Sequence, residues 1–344
     1  MKASIQNPKS KVENEGRAAF VDPAALMRIK SLELRAKIVV EGFFNGLHRS
    51  PFHGFSVEFS EYRQYTPGDD LRYLDWRLFG RSDRYYIKRF EDETNLRCHL
   101  LLDMSRSMGF GSLAYDKAEY AKTAAATFAY FLSIQRDAVG LVTFDEQIQE
   151  YLPARFRQGH MHRVMLCLER SLAGTATDLG PPLEQIAKTA SKRGLIVLIS
   201  DLLAPIGALE TQLGYLRSRG HEVVVLRVLD PAEIDFRFDE AAVFQDLESG
   251  REIYVDPLSA RERYLERFAR HAAEIAAACN RLGIDYYPLS TAQPLELALF
   301  DFLHSRLRRG RRTTRASARQ GAGPRRSRAG IHPKAGALRS PGGR

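Results

Sequence analysis

Two aspartates and a set of hydroxyls stand where this 344-residue chain could do chemistry. The apolar run Leu100-Leu101-Leu102 leads straight into Asp103-Met104-Ser105-Arg106-Ser107. The run from Leu195 to Ser200 leads in the same way into Asp201. A third polar group, Thr175, Thr177 and Asp178, stands just before Gly180-Pro181, and Pro181 suits the first turn of a helix. No histidine or cysteine accompanies these groups, so the donors are oxygens alone, a hard set that selects Mg²⁺, Mn²⁺ or Ca²⁺ over zinc. Two aspartates on one edge repel each other unless a cation or a base stands between them. Hydroxyl ligands carry no charge, so an ion held largely by them keeps positive character and an open position. An acidic side chain of a partner protein is the natural occupant.

The elements that must position these residues alternate between β and α from Asn95 onward. Strands are expected at 96–102, 138–144, 195–200, 222–229 and 284–289, with a hairpin edge at 147–152. Helices are expected at 114–134, 157–171, 180–192, 206–218, 259–282 and 294–308. Strands such as Leu195–Ile199 and Val223–Leu226 are apolar throughout, as when helices cover both faces of a parallel sheet. The fold class is therefore α/β, a doubly wound, mostly parallel sheet. Such sheets place ligands beyond the carboxyl ends of their strands, where Asp103 and Asp201 fall.

Upstream, residues 1–22 are polar and read as a flexible N-terminus. Asp22 and Pro23 can cap and start a helix over 25–44, which Gly42 and Gly46 are expected to end. Residues 48–95 are rich in aromatics and in both signs of charge. Phe55, Val57 and Phe59 alternate as in a strand, Tyr85 to Phe90 suggests a second, and Pro67-Gly68-Asp69-Asp70 is a turn. Residues 23–94 thus form a small accessory subdomain, residues 95–305 the sheet domain, and 306–344 a basic tail with the composition of a disordered segment.

The site residues resemble a known arrangement. Asp103-x-Ser105-x-Ser107, a threonine before a helix, and Asp201 at a strand end are similar to the metal-ion-dependent adhesion site of von Willebrand factor A domains. Asp103, Ser105, Ser107 and Asp201 match residue by residue, although Leu202 stands where many such domains have glycine. Thr177 supplies the threonine if the match is anchored on the helix start, with Thr175 as the alternative. The segment Phe59-x-Glu61-x-Arg63-x-Tyr65-x-Pro67-Gly68-Asp69-Asp70-x-Arg72-x-x-Asp75-Trp76, followed by Lys88-x-Phe90-x-Asp92-Glu93, resembles the bacterial domain-of-unknown-function family fifty-eight. That resemblance covers roughly residues 45 to 300. It implies an adhesion-site domain, with Mg²⁺ foremost and Mn²⁺ or Ca²⁺ as alternatives. It also implies a role in assembly or maturation beside a MoxR-type AAA+ ATPase.

Other functions fit less well. The net charge of +9 is concentrated in residues 306–344, which hold 13 Lys and Arg and no acidic residue. The remaining 38 basic residues face all 42 acidic ones, a net of −4, so a specific nucleic-acid-binding body is not expected. Cys98, Cys167 and Cys279 are scattered and odd in number, which suits free thiols in the cytoplasm. No apolar run is long enough to span a membrane. Gly109-x-Gly111-x-x-Ala114 fits a dinucleotide fingerprint only superficially, because it stands six residues beyond Asp103 rather than at the strand end. A metal-assisted phosphohydrolase would want a carboxylate two residues after Asp103, where Ser105 stands, so catalysis is not expected. A scaffold with an unused site is a further alternative. His160 and His162 have no partner at ligand spacing and are expected at the surface.

Overall fold

A computed structural model describes residues 20–49, 62–64, 86–88, 96–171, 179–190, 192–238, 240–247 and 250–303. Residues 1–19 of the expected N-terminal tail, the 55–59 strand, the 67–70 turn, Thr175, Thr177 and the whole of the basic tail at 306–344 lie outside them. The chain divides after Phe302, and Leu303–Arg344 forms a separate unit.

The N-terminal helix is two helices, α1 (Pro23–Met27) and α2 (Leu32–Arg49). Asp22 caps the first by accepting from the Ala24 and Ala25 amides. Ser31 Oγ accepts from the Leu34 amide at the start of the second, which explains the break. The α2 helix runs through Gly42 and Gly46 instead of ending there. At Gly42 the reason is packing, since a Cβ would lie 3.2 Å from the Glu296 Oε1 atom.

A two-stranded ribbon follows, β1 (Tyr62–Gln64) antiparallel to β2 (Tyr86–Lys88). Then come β3 (Arg97–Asp103), α3 (Lys117–Ile134), β4 (Ala138–Phe144) and β5 (Ile148–Arg155). Next are α4 (His160–Leu168), α5 (Gly180–Thr189), β6 (Leu195–Ser200), α6 (Ile206–Ser218) and β7 (Glu222–Leu229). A short α7 (Pro231–Asp235) and a hairpin, β8 (Ala242–Gln245) with β9 (Glu252–Val255), lead to α8 (Pro257–Leu282) and β10 (Asp285–Ser290). A last helix, α9, runs over 295–303. The hairpin had no signal in the sequence reading.

The main sheet has the order β10-β7-β6-β3-β4-β5. All neighbours are parallel except β5, the antiparallel edge formed by a hairpin from β4. This is the doubly wound, mostly parallel α/β sheet that the apolar strands implied. One face packs Leu101, Ile196, Leu198, Val223 and Val225 against Leu183, Leu213 and Ile275 from α5, α6 and α8. The α3 helix covers the other face, touching β3, β4, β6 and β7. Its alanines 118, 121, 124, 125, 126 and 129 are all buried, which lets the helix approach closely. On its outer side Phe131 meets Phe43 of α2, and Phe128 meets Phe302 of α9. Arg35 ties α2 to the same helix through Glu119 and Thr123.

His160 is not at the surface. It is buried, and its ring Nε2–H donates to the Val139 carbonyl at 2.7 Å, linking α4 to β4. Across the β4–β5 hairpin, Gly140 leaves no room for a side chain, because a Cβ would fall 2.7 Å from the Ala154 nitrogen and 2.8 Å from the Leu152 carbonyl oxygen. Both are backbone atoms of a paired strand and cannot yield cheaply. Gly140→Ala is expected to cost about 2 kcal/mol in urea unfolding. A variant as stable as the wild type would show that the edge strand is free to shift. Among the described residues no helix is long and apolar enough to cross a membrane.

Candidate metal centre

Each of the four central parallel strands delivers an aspartate at or just past its carboxyl end: Asp103 from β3, Asp145 from β4, Asp201 from β6 and Asp230 from β7. The sequence reading singled out only the first and third. The recurring pattern of an apolar strand closing on aspartate was the signal for the other two. Three of these carboxylates turn back on their own loops. Asp103 Oδ1 accepts from the Ser105 amide at 2.9 Å, Asp145 Oδ1 from the Gln147 amide at 2.9 Å, and Asp201 Oδ1 from the Leu203 amide at 3.2 Å. Asp230 instead caps α7 through the Ala232 amide and accepts from the Ser112 amide at 2.9 Å.

Asp103 and Ser105 are fully buried. The Ser105 and Ser107 hydroxyl oxygens lie 3.1 Å apart, so the two serines converge. Ser200, which the sequence reading did not mark, donates its hydroxyl to Asp103 Oδ2 at 2.6 Å and so joins β6 to β3. Burial, and then the charge of Asp201, pushes the Asp103 carboxyl well above the usual carboxylate range. The hydroxyl of Ser200 and the hydroxyl and amide of Ser105 pull the other way without prevailing. A carboxyl in that position is short of positive charge.

Asp201 is also fully buried. Its carbonyl oxygen accepts from Arg227 Nε at 3.0 Å, and the buried guanidinium lies 5.3 Å from the Phe268 ring centroid. The next residue, Leu202, has a φ of +55°, the left-handed region in which glycine is at ease. Leucine is held in the strained turn because its side chain is fully buried in the core, while its amide donates to Ser200 Oγ at 3.0 Å.

The largest surprise is Lys117. It is fully buried at the first position of α3, just after the cap Asp116. The helix was expected to begin at residue 114, which hid this placement; Asp116, accepting from the Glu119 amide at 2.7 Å, sets the true start. The ammonium donates to Asp201 Oδ2 at 2.8 Å and to Glu233 Oε1 at 2.6 Å. Burial alone would lower its pKa, but Asp201 and Glu233 overcome that and hold it above the ordinary lysine value. Glu233 is itself fixed, its Oε2 accepting from the Asp230 amide at 2.9 Å in a capping box.

The arrangement therefore unites Asp103, Ser105, Ser107 and Asp201 at one sheet edge. The threonine loop with Thr177 and Thr175 lies outside the described residues. The donor set fits a hard cation, with converging hydroxyls beside a carboxyl that lacks compensating charge. Among the described residues no cluster of three or more His, Cys, Asp or Glu is arranged to hold a metal by those groups alone, so hydroxyls would have to supply part of any coordination.

Fold and site define a doubly wound α/β protein with an oxygen-rich cluster beyond its central strands. The family profile described as "Protein of unknown function DUF58" matches residues 61–274, and the chain belongs to that family. It is similar to "Uncharacterized protein Rv1480" of Mycobacterium tuberculosis (strain ATCC 25618 / H37Rv), 30% identical over 292 residues, which cover 83% of this chain and 91% of that one. "Uncharacterized protein Mb1516" of Mycobacterium bovis matches to the same extent. Among solved structures, the conserved hypothetical protein BatB from Bacteroides thetaiotaomicron aligns at 17% identity and a TM-score of 0.43, covering 62% of this chain and 99% of that one. The SpRpn10 VWA domain aligns at 16% identity and a TM-score of 0.37, covering 58% and 92%. Likenesses this slight carry no function across.

Proposed function

We propose that the chain is a protein-interaction module that holds a divalent cation on Asp103, Ser105, Ser107, Thr177 and Asp201. Mg²⁺ is the leading ion, with Mn²⁺ or Ca²⁺ as alternatives. When bound, the ion supplies a positive centre for an acidic side chain of a partner protein. The observation that carries this reading is the buried Asp103 carboxyl with Ser105 against it and the Ser107 hydroxyl 3.1 Å from that of Ser105. Room for a partner group is at hand. A cavity of about 380 Å³ opens beside Ser107, lined also by Phe110, Leu203, Glu233, Asp246 and Leu247.

The partner in this proposal is a MoxR-type AAA+ ATPase or its client, and the role is assembly or maturation of a complex. The resemblance of the upstream segment supports it. The reading is one of binding without catalysis, since Ser105 stands where a phosphohydrolase would place its acid/base. A cytoplasmic setting is part of the proposal and is supported by three buried cysteines that form no disulfide.

The experiment is a thermal melt of the full chain in chelator and then in Mg²⁺ or Mn²⁺. Ligand linkage at saturating ion is expected to raise the midpoint by about 5 °C or more. Asp103→Ala and Asp201→Ala should each abolish that rise. A wild-type midpoint indifferent to both ions across millimolar concentrations would sink the cation reading. Capture of a MoxR-type ATPase that is equal with and without chelator would sink the metal-dependent partnership alone.

A further inference from the structure

Lys117 has no counterpart in the oxygen-donor reading, yet it is the best-held charged group at the site. Its ammonium has two carboxylate partners, at 2.8 Å and 2.6 Å, and no solvent exposure. It also lies 5.9 Å from the centroid of the Phe110 ring. Glu233 cannot swing away, because the capping box holds its other oxygen. The start of α3 cannot shift freely either, because the Lys117 amide donates to the Phe110 carbonyl at 3.0 Å.

We infer that Lys117 is the resident cation of this site: it compensates Asp201 in the ion-free protein and, through its fixed charge, sets how strongly and with what charge preference the site takes a metal ion. This rests on the cation-binding reading above and adds a positioning residue to it. Lys117 and Asp201 are both fully buried, so charge at that pair is weakly screened. The ammonium offsets carboxylate charge at Asp201 and Glu233. Removing it leaves more negative charge to attract an incoming cation, and ions of higher charge gain most. Removing the Glu233 carboxylate instead leaves less negative charge to hold one.

Lys117 reaches Asp201 from the first turn of the helix that follows the Asp103 loop. Asp103 instead accepts from the Ser200 hydroxyl and the Ser105 amide. The same ammonium repels an incoming cation, so it stabilises the ion-free state and lowers ion affinity together.

The test uses the full chain in isothermal titrations with Mn²⁺ and with Tb³⁺, and circular dichroism in chelator to confirm folding. Lys117→Met keeps the length of the side chain and removes the charge. It is expected to bind Mn²⁺ about tenfold tighter than wild type, with a larger gain for Tb³⁺ than for Mn²⁺. Glu233→Gln leaves the ammonium to Asp201 alone and is expected to weaken Mn²⁺ binding by about tenfold. If Lys117→Met does not fold in chelator, Glu233→Gln decides by itself. A wild type that binds weakly or not at all, beside a Lys117→Met that binds, supports the inference. A wild type that binds while the two variants bind equally well overturns it and leaves the cation reading standing. No binding by any of the three overturns both.

Discussion

Lys117→Ala is expected to lower the unfolding free energy by about 3–5 kcal/mol in chelator, the usual cost of removing one partner of a buried ion pair. The size follows from what is left behind. Asp201 is fully buried, and its Oδ2 would lose the ammonium that now sits 2.8 Å away. Among the described residues its other oxygen keeps only the Leu203 amide, at 3.2 Å. Glu233 would lose a partner at 2.6 Å. Taking an ammonium out of water is costly too, so the intact network is not a large net source of stability. The loss belongs to breaking it. Lys117→Met combined with Asp201→Asn should therefore be less destabilised than the sum of the two single changes. Urea unfolding of the four proteins measures this directly. A loss under about 1 kcal/mol in Lys117→Ala would mean that water reaches Asp201 easily, and the argument for a dry, charge-balanced edge would fail.

His99 is expected to withdraw about 3 kcal/mol of stability as the pH drops from about 6.5 to about 4, a contribution that the raised Asp103 carboxyl opposes. His99 lies in β3, almost entirely buried, below the site. Burial first, then the charges of His221 and Arg97, lowers its pKa from 6.5 to about 4. The sign is unambiguous. Above pH 6.5 the ring is neutral in both states and contributes no pH dependence. Between 6.5 and 4 the unfolded chain takes up a proton that the native chain refuses, so unfolding is favoured as the pH falls. Burial lowers the His221 pKa as well, which adds to the same trend. Relative to the wild type, His99→Gln, neutral at every pH, should gain about 3 kcal/mol of stability in urea unfolding as the pH is taken from 7 through 6 and 5 to 4. A difference between the two proteins that is the same at every pH would show that His99 does not carry this effect.

Much of the fold was legible in the sequence for a plain reason. Strands buried on both faces are mostly apolar, as β6 is up to Ser200 and β7 is apart from Glu222 and Arg227. Such runs are long enough to locate to within a residue or two, and they alternate with helical stretches in a way that admits few topologies. Elements that depend on local competition were harder to read. The split of the first helix rests on a serine cap at Ser31, and the helix's continuation through Gly42 rests on the close approach of Glu296. The β8–β9 hairpin carries exposed Val243, Ile253 and Tyr254, so it lacks the buried alternation that betrays a strand. His160 had no sequence neighbour to reveal that its ring N–H would donate to a carbonyl of β4.

The site divides along the same line. Asp103, Ser105, Ser107 and Asp201 were legible because an apolar strand that ends on aspartate places that carboxylate at the ligand edge whatever else the chain does. Sequence by itself determined the strands, their polar ends and the hard-oxygen character of the donors. Tertiary structure alone decided which charges meet there. Lys117 and Asp201 are 84 positions apart, and Lys117 and Glu233 are 116 apart. Nothing in the local pattern of either end marks such a pair. A buried ion pair is chosen by where water is excluded, and that is a property of the packed sheet and helix together.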